Sequence, residues 1–333
     1  MAVNKIWGEY DLLLADLDGV IYEGGRAIDN AVPSINGLQK NGLKIGYVTN
    51  NSSRHPETIA EQLRGFGLDT EAGAIISSAK TAVELMQTKI EPAAKVLVVG
   101  GDGLRRFVTE AGFQTVTSSD EKPAAVIQGF APDVSWKELA EASYAIQNGA
   151  IWIATNSDWT LPQERGIAPG NGTLVSAVHT AVGQFPIVAG KPEPEIFRTA
   201  LRVFNPQSAI FVGDRLETDV LGAKRAGIST AIVLTGIATK KELLAAKVDE
   251  RPDYILDTLF DLTVDYPKLK QTKRGWRCGE AEVELLGDKV LVVSGDPYST
   301  DALRAACNVI WNAEKHIHFL DVQPELYAKE KNK

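Results

Sequence analysis

Cysteine is scarce in this chain: Cys278 and Cys307 are the only two, and no CxxC spacing occurs. That scarcity excludes a disulfide framework and fits a reducing compartment, so the cytoplasm is the expected location. The four histidines are too scattered to offer a zinc site, the HxH of His316 and His318 included. Long apolar runs are also missing. The run after Tyr10 is short and is broken by Asp16, so neither a secretory signal nor a membrane span is expected. There is no basic excess either: 35 Lys and Arg face 43 Asp and Glu, for a net charge of −8. This balance argues against broad nucleic-acid binding, and an anionic substrate would need a local electropositive site. No tandem repeat or low-complexity tract is present.

What remains is an ordinary globular composition, 44% hydrophobic and 23% charged, over 333 residues, enough for two or three domains. Short apolar runs alternate with helical patterns, the signature of a parallel α/β sheet. "YDLLLAD", "LKIGYVTN", "AIFVGD" and "TAIVLTG" have no polar face, as strands covered on both sides require. The expected fold is a Rossmann-like doubly wound parallel sheet. Its core would comprise residues 1–79 and 188–266, with a second α/β unit inserted at 80–187. From 267 to 333 the pattern changes to a hairpin turning at Leu286–Lys289 and an amphipathic helix, "DALRAACNVIWNAEK", a small α+β extension.

In an open parallel sheet, ligands bind beyond the carboxyl ends of the strands. The first apolar run ends in Asp16-Leu17-Asp18-Gly19. In an extended chain, residues i and i+2 point the same way, which would put both carboxylates on one side. Such a pair suits a nucleophile beside a general acid/base, or it merely caps a helix. The second run ends in Thr49-Asn50-Asn51, polar groups that could grip phosphate oxygens or simply shape a turn. Lys191, in "GKPEP", is expected in a loop ahead of a helix starting near Pro194, because Pro192 disfavours a helical lysine. Gly213-Asp214 is followed five residues later by Asp219. Oxygen-only ligands such as these suit Mg²⁺. The echo "GDPYSTD" at 295–301 has no such company. Ser299 or Thr300 is expected there as a helix N-cap, with Asp301 in the first turn.

Taken in order, DxDGV at 16–20, TNN at 49–51, Lys191 in GKPEP and GDxxxTD at 213–219 resemble the four motifs of the haloacid dehalogenase superfamily. "LADLDGVIYEGG", "VTNNSSR", "ATNSDWTLP" and "GDRLETDVLGAKRAG" resemble its NagD and 4-nitrophenylphosphatase branch, which carries a large C2-type cap. The resemblance covers roughly residues 8–265. It implies a Mg²⁺-dependent phosphomonoester hydrolase in which Asp16 is the nucleophile and Asp18 the general acid/base. Thr49, Asn50, Asn51 and Lys191 would bind phosphate. Asp16, Asp214 and the Asp18 carbonyl would hold the metal, and Asp219 would act through water or by orienting the other ligands. The inserted unit would be the cap that selects substrates, with Arg54, Trp159, Thr160 and Arg165 as candidate specificity contacts.

Dehalogenases of this fold lack the second aspartate, and ion-pumping ATPases carry a different sequence after the nucleophile. "VVGGDGLRR" at 98–106 is not a dinucleotide loop, since Arg106 stands where the third glycine belongs. The extension after 267 resembles that of longer relatives that are glycerol 3-phosphate phosphatases, which makes this the first-choice substrate. Phosphoglycolate, sugar or pyridoxal phosphates are alternatives, as are a phosphotransferase and a non-catalytic phosphometabolite sensor. The expected partner is a small phosphorylated metabolite, with neither nucleic acid nor membrane; monomer and homodimer both remain open.

Overall fold

The computed structural model describes residues 5–163 and 165–328. The chain divides into two compact units. The first comprises the chain up to Glu23, Ala27–Ile45, and everything from Pro206 onward; the second comprises Gly24–Arg26 and Gly46–Asn205.

In the first unit the strands Tyr254–Leu256, Ser229–Val233, Ala209–Gly213 and Leu12–Ala15 lie side by side in that order, all parallel. All four residues of Leu12–Ala15 are buried, as the unbroken apolar run demands. The next strand, Lys44–Thr49, begins in this unit, where the Lys44 N–H donates to the Asp11 carbonyl at 3.2 Å. It continues into the second unit and pairs there in parallel with Ile75–Ser77.

The second unit is built around a five-stranded parallel sheet in the order Ile187–Val188, Ile151–Ala154, Ala125–Gln128, Lys95–Val99, Gln114–Val116. Alternate residues of Lys95–Val99 serve opposite faces, as a period of two requires. Val96 and Val98 pack with Ala79, Val83, Leu104 and Val108, from helices Ser78–Gln87 and Asp102–Glu110. Leu97 and Val99 pack with Ala142, Ile146, Val175 and Val178, from helices Trp136–Gln147 and Asn171–Val182. The strands expected at "KVLVVGG", "AAVIQGF" and "IWIATN" all belong to this sheet. A hairpin of Thr160–Gln163 with Gly166–Pro169 was not anticipated. Its sequence, with two prolines and one glycine, lacks an alternating apolar pattern.

The C-terminal part forms a second five-stranded sheet, Leu269–Gln271, Gly275–Cys278, Ala281–Leu286, Lys289–Ser294 and Asp321–Val322, antiparallel apart from its last pair. The anticipated hairpin is present: Leu286 pairs with Lys289 across Gly287, whose φ of 66° is the left-handed value that a glycine-first hairpin turn needs. Helix Thr300–Trp311 is capped by Ser299, whose hydroxyl accepts from the Ala302 N–H at 3.1 Å. The Asp296 carboxylate is spent on the Tyr298 N–H, at 3.0 Å, so the second glycine-aspartate stretch is a turn.

This extension is not a separate body. Val283, Val290, Ala302, Ala306 and Ile310 share one apolar core with Leu216, Val220, Ile232, Leu243 and Leu244. A buried ionic joint reinforces it. Arg304, 6% exposed, donates to the Ile255 carbonyl at 2.6 and 2.8 Å, and pairs with Asp301 at 2.7 Å and Asp261 at 3.3 Å. Removing one partner from a buried ion pair leaves the others desolvated and uncompensated. Arg304→Ala is therefore expected to destabilise the protein by about 3 kcal/mol, read in urea unfolding. Truncation after residue 266 is expected to leave the remaining chain insoluble, because it bares Leu216, Val220, Leu243 and Leu244. A soluble truncated protein with an unchanged melting temperature would contradict the shared core.

Candidate active site

The carboxyl ends of two adjacent buried strands meet at a cluster of acids. The ladder between Leu12–Ala15 and Ala209–Gly213 extends one residue further, through the Asp16 N–H donating to the Val212 carbonyl at 2.8 Å. Asp16, Asp214 and Asp219 thereby bring carboxylate oxygens within 4.8 Å of one another. Asp214 and Asp219 are 2% and 0% exposed, and Asp16, at 8%, sits at the rim. Among the described residues this is the one group of His, Cys, Asp and Glu gathered so closely.

Each acid is held in place. Asp219 lies within a π-helical turn, Leu216–Val220, in which the Val220 N–H reaches the Arg215 carbonyl at 3.2 Å. Its Oδ2 accepts from the N–H groups of Asp214 and Arg215, at 3.0 and 3.1 Å. Asp219 thus orients the backbone that carries Asp214, in addition to adding charge. Asp214 Oδ2 accepts from the Ile237 N–H at 2.9 Å.

Two glycines wall this carboxylate. A Cβ at Gly19, where φ is 79°, or at Gly236 would collide with Asp214 Oδ2. The Thr235 hydroxyl ties the two loops together by donating to the Gly19 carbonyl at 2.7 Å. Thr235, Gly236 and Ile237 were not singled out from the sequence. Their signal was available, since Thr235-Gly236 terminates the "TAIVLTG" run just as Asp16 and Asp214 terminate theirs.

Asp18 stands apart. The strand ends at Ala15, and the chain turns back so that the N–H groups of Val20, Ile21 and Tyr22 all converge on the Leu17 carbonyl. Asp18 is consequently exposed, while Asp16 is enclosed. Its carboxylate does not join the cluster.

The second unit gathers the other group. Thr49, at 2% exposure, ends its strand, and its Oγ1 accepts from the Asn51 N–H at 3.1 Å. Asn51 Oδ1 accepts from the N–H and hydroxyl of Ser53 and from the Arg54 N–H, at 3.1, 3.1 and 3.2 Å. Asn50 grips the lysine loop from both sides: its Oδ1 accepts from the Lys191 N–H at 2.8 Å, and its Nδ2 donates to the Lys191 carbonyl at 3.1 Å. Lys191 is 3% exposed, just ahead of helix Glu195–Phe204, which starts where Pro194 led one to expect. The side chains of Asn50 and Asn51 are therefore occupied in building the loop.

Arg54 lies beside this loop but donates to the Thr58 carbonyl at 3.3 Å, in the first turn of the helix that follows it, Pro56–Gly65. Trp159, 66% exposed, and Thr160 stand at the base of the unanticipated hairpin, and Arg165 lies exposed in its turn. One glycine of "VVGGDGLRR" also finds a reason. A Cβ at Gly103, in the first turn of helix Asp102–Glu110, would stand 2.7 Å from the Ser53 carbonyl, so glycine there lets the helix start pack closely on the loop that carries Ser53.

Oxygen ligands around one Mg²⁺, each at ~2.1 Å, lie no more than ~4.2 Å apart. Three carboxylates whose oxygens lie within 4.8 Å of one another on a largely buried floor come near that spacing, and an oxygen-only donor set suits this ion. Without a cation they would repel one another at low dielectric.

The haloacid dehalogenase-like hydrolase description matches residues 13–114, and the HAD-hydrolase-like description matches residues 188–262. The chain is 37% identical over 320 residues to a D-glycerol 3-phosphate phosphatase of Mycobacterium tuberculosis, covering 93% of this chain and 88% of that one. It is 34% identical over 261 residues to an acid sugar phosphatase of Staphylococcus saprophyticus, covering 78% of this chain and 99% of the relative. In three dimensions it matches a glycerol phosphate phosphatase from Mycobacterium tuberculosis crystallised with magnesium, with a TM-score of 0.86 and 33% identity over 96% of this chain and 95% of that one. With both halves of the parallel core matched and its relatives phosphatases, this chain belongs to the haloacid dehalogenase-like hydrolases.

Proposed function

We propose that this protein is a Mg²⁺-dependent phosphomonoester hydrolase that works through an aspartyl-phosphate on Asp16, with glycerol 3-phosphate as its substrate. The observation carrying the chemistry is the buried cluster of Asp16, Asp214 and Asp219 next to an exposed second acid, Asp18. Asp16 and Asp214 side chains and the Asp18 carbonyl would hold the ion, with Asp219 fixing the Asp214 backbone as it does here. When bound, Mg²⁺ supplies positive charge that offsets the carboxylates and the phosphoryl oxygens.

The Asp16 carboxylate attacks phosphorus, and the P–O bond to the alcohol breaks. Asp18 delivers its proton to the departing oxygen, so the alcohol leaves neutral. The now ionised Asp18 takes a proton from water. That water attacks the aspartyl-phosphate, releasing inorganic phosphate and returning Asp16 to its starting form. Solvent exposure of Asp18 supports this second role, because the hydrolytic water and the proton both need a path to it. Thr49 and Lys191 hold the phosphoryl group as charge shifts onto the leaving oxygen. Residues 80–187 act as a cap, bearing Trp159, Thr160 and Arg165 on its hairpin, while the core comprises 1–79 and 188–266.

The choice of substrate is supported by the extension. Similarity to the glycerol 3-phosphate phosphatase spans 93% of this chain, whereas that to the acid sugar phosphatase spans 78% and comprises nearly all of that shorter relative. The extension packs on Leu216 and Val220, either side of the Asp219 turn. An enzyme built with that support shares more of its site framework with the first relative than with the second.

A phosphate-release screen over small phosphomonoesters, with and without Mg²⁺, tests this reading. Glycerol 3-phosphate is expected to be turned over with the highest kcat/KM, ahead of phosphoglycolate and sugar phosphates. Asp16→Asn should abolish release, and equal release by this variant and the wild type would sink the covalent mechanism. Product transferred to added alcohols in preference to water would indicate a phosphotransferase, and no release from any ester a sensor.

Asp18→Asn is expected to lower kcat for glycerol 3-phosphate by about 10²–10⁴-fold. Its phosphorylation step should be far less impaired with 4-nitrophenyl phosphate, whose leaving group needs no proton. Gly236→Ala should weaken Mg²⁺ binding by at least about tenfold in calorimetry, because its Cβ displaces the Asp214 carboxylate. Unchanged Mg²⁺ affinity would remove Asp214 from the metal site.

A further inference from the structure

The network around Asn50 reaches further than the lysine loop. Its Nδ2 also faces the carboxylate of Asp158, at 3.1 Å from Oδ1 and 3.2 Å from Oδ2. Asp158 lies 108 residues away, at the end of the segment that follows strand Ile151–Ala154. The same segment holds the Asn50 backbone: Asn156 Nδ2 donates to the Asn50 carbonyl at 2.8 Å, as does the Ser78 hydroxyl at 2.7 Å.

Asn156 is itself fixed. Its carbonyl accepts from buried Asn171 at 2.8 Å, and its Oδ1 accepts from the Asp158 N–H at 3.3 Å. Gly190, directly before Lys191, completes the fit. A Cβ there would stand 2.6 Å from both Asn50 Oδ1 and the Thr155 carbonyl. Both main-chain polar groups of Lys191 therefore answer to Asn50, and Asn50 answers to Asn156 and Asp158.

We propose that Asn50 and Asp158 are positioning residues that set the placement of the Lys191 ammonium, Asn50 by clamping the lysine backbone and Asp158 by fixing the Asn50 amide. Asp158 is thus a part of the phosphoryl-binding machinery contributed by the 155–158 segment, and not a reader of the leaving group. This rests on the reading of Lys191 as a phosphoryl ligand. An amide with both its oxygen and its nitrogen engaged has one orientation, and the acidic partner on Nδ2 rules out the flipped amide, which would aim an oxygen at a carboxylate. Errors of about 1 Å in placing a charge against a reacting group can cost about 10²-fold in rate, so a residue that never touches substrate can still control turnover.

Leaving-group contact and phosphoryl positioning are separated by inorganic phosphate, which has no leaving group. Asp158→Ala is expected to lower kcat by about the same factor, at least tenfold, for glycerol 3-phosphate, phosphoglycolate and 4-nitrophenyl phosphate alike. Competitive inhibition by inorganic phosphate should weaken in parallel. Asp158→Asn, whose amide oxygen can still accept from Asn50, should recover most of both. The double variant Asn50→Ala/Asp158→Ala should be no slower than Asn50→Ala alone, because the two act through one linkage.

The proposal is overturned if Asp158→Ala changes the rate with only some esters while phosphate inhibition stays at the wild-type value, which would mark a substrate contact. It is equally overturned if the two single effects multiply in the double variant. Melting temperatures of all variants identify any that fail to fold, and Asp158→Asn then carries the comparison. Absence of wild-type turnover would instead count against the hydrolase reading. In that case inorganic phosphate binding by calorimetry, weakened at least tenfold by Asp158→Ala or unchanged by it, still decides the positioning role.

Discussion

Three carboxylates that repel one another are held together at the ends of two parallel strands, and much of the first unit is arranged to keep them there. Asp219 receives the Asp214 and Arg215 N–H groups, and Asp214 receives that of Ile237. Gly19 and Gly236 surrender their side chains so that the Asp214 carboxylate has room. Hydrogen bonds of this kind offset part of the repulsion, and a hard cation would offset the rest. The cost is local, and the stability that offsets it has to come from elsewhere in the unit.

The C-terminal extension is one such source. Its helix and hairpin bury the apolar side chains that flank the acidic turn, Leu216 and Val220, together with Leu243 and Leu244. Arg304 adds a buried joint to the Ile255 carbonyl and Asp261. The acidic turn therefore rests on a core to which residues some 80 positions further on contribute. The strands of the second unit have both faces covered within that unit, which leaves its lysine loop supported independently of the extension.

The strand ends were legible in sequence because a buried parallel strand must be apolar throughout, so its first polar residue is conspicuous. That logic located Asp16, Thr49 and Asp214, and the proline beside Lys191 placed it correctly ahead of a helix. It was less informative about what each polar side chain does. Asn50 and Asn51 could be read as phosphate ligands or as turn formers, and their side chains are found bonded within the second unit, to Lys191 and Asp158 and to Ser53 and Arg54. Asp158 carried no periodic or terminal signal at all. The hairpin at Thr160–Pro169 was equally silent, since a short proline- and glycine-containing pair lacks an alternating pattern.

Sequence alone determined the class of fold, the order of its strands along the chain, and which residue types stand at their polar ends. These follow from burial and periodicity, which are local properties. Only tertiary structure decided that Asp16, Asp214 and Asp219 form one cluster while Asp18 faces solvent, because the chain turns at Leu17 where an extended strand would have carried both acids together. Only tertiary structure joined Asn50 to Lys191 and Asp158, and the extension to the acidic turn. Contacts across 100 residues depend on how sheets stack and loops meet, and no periodicity within a segment encodes them.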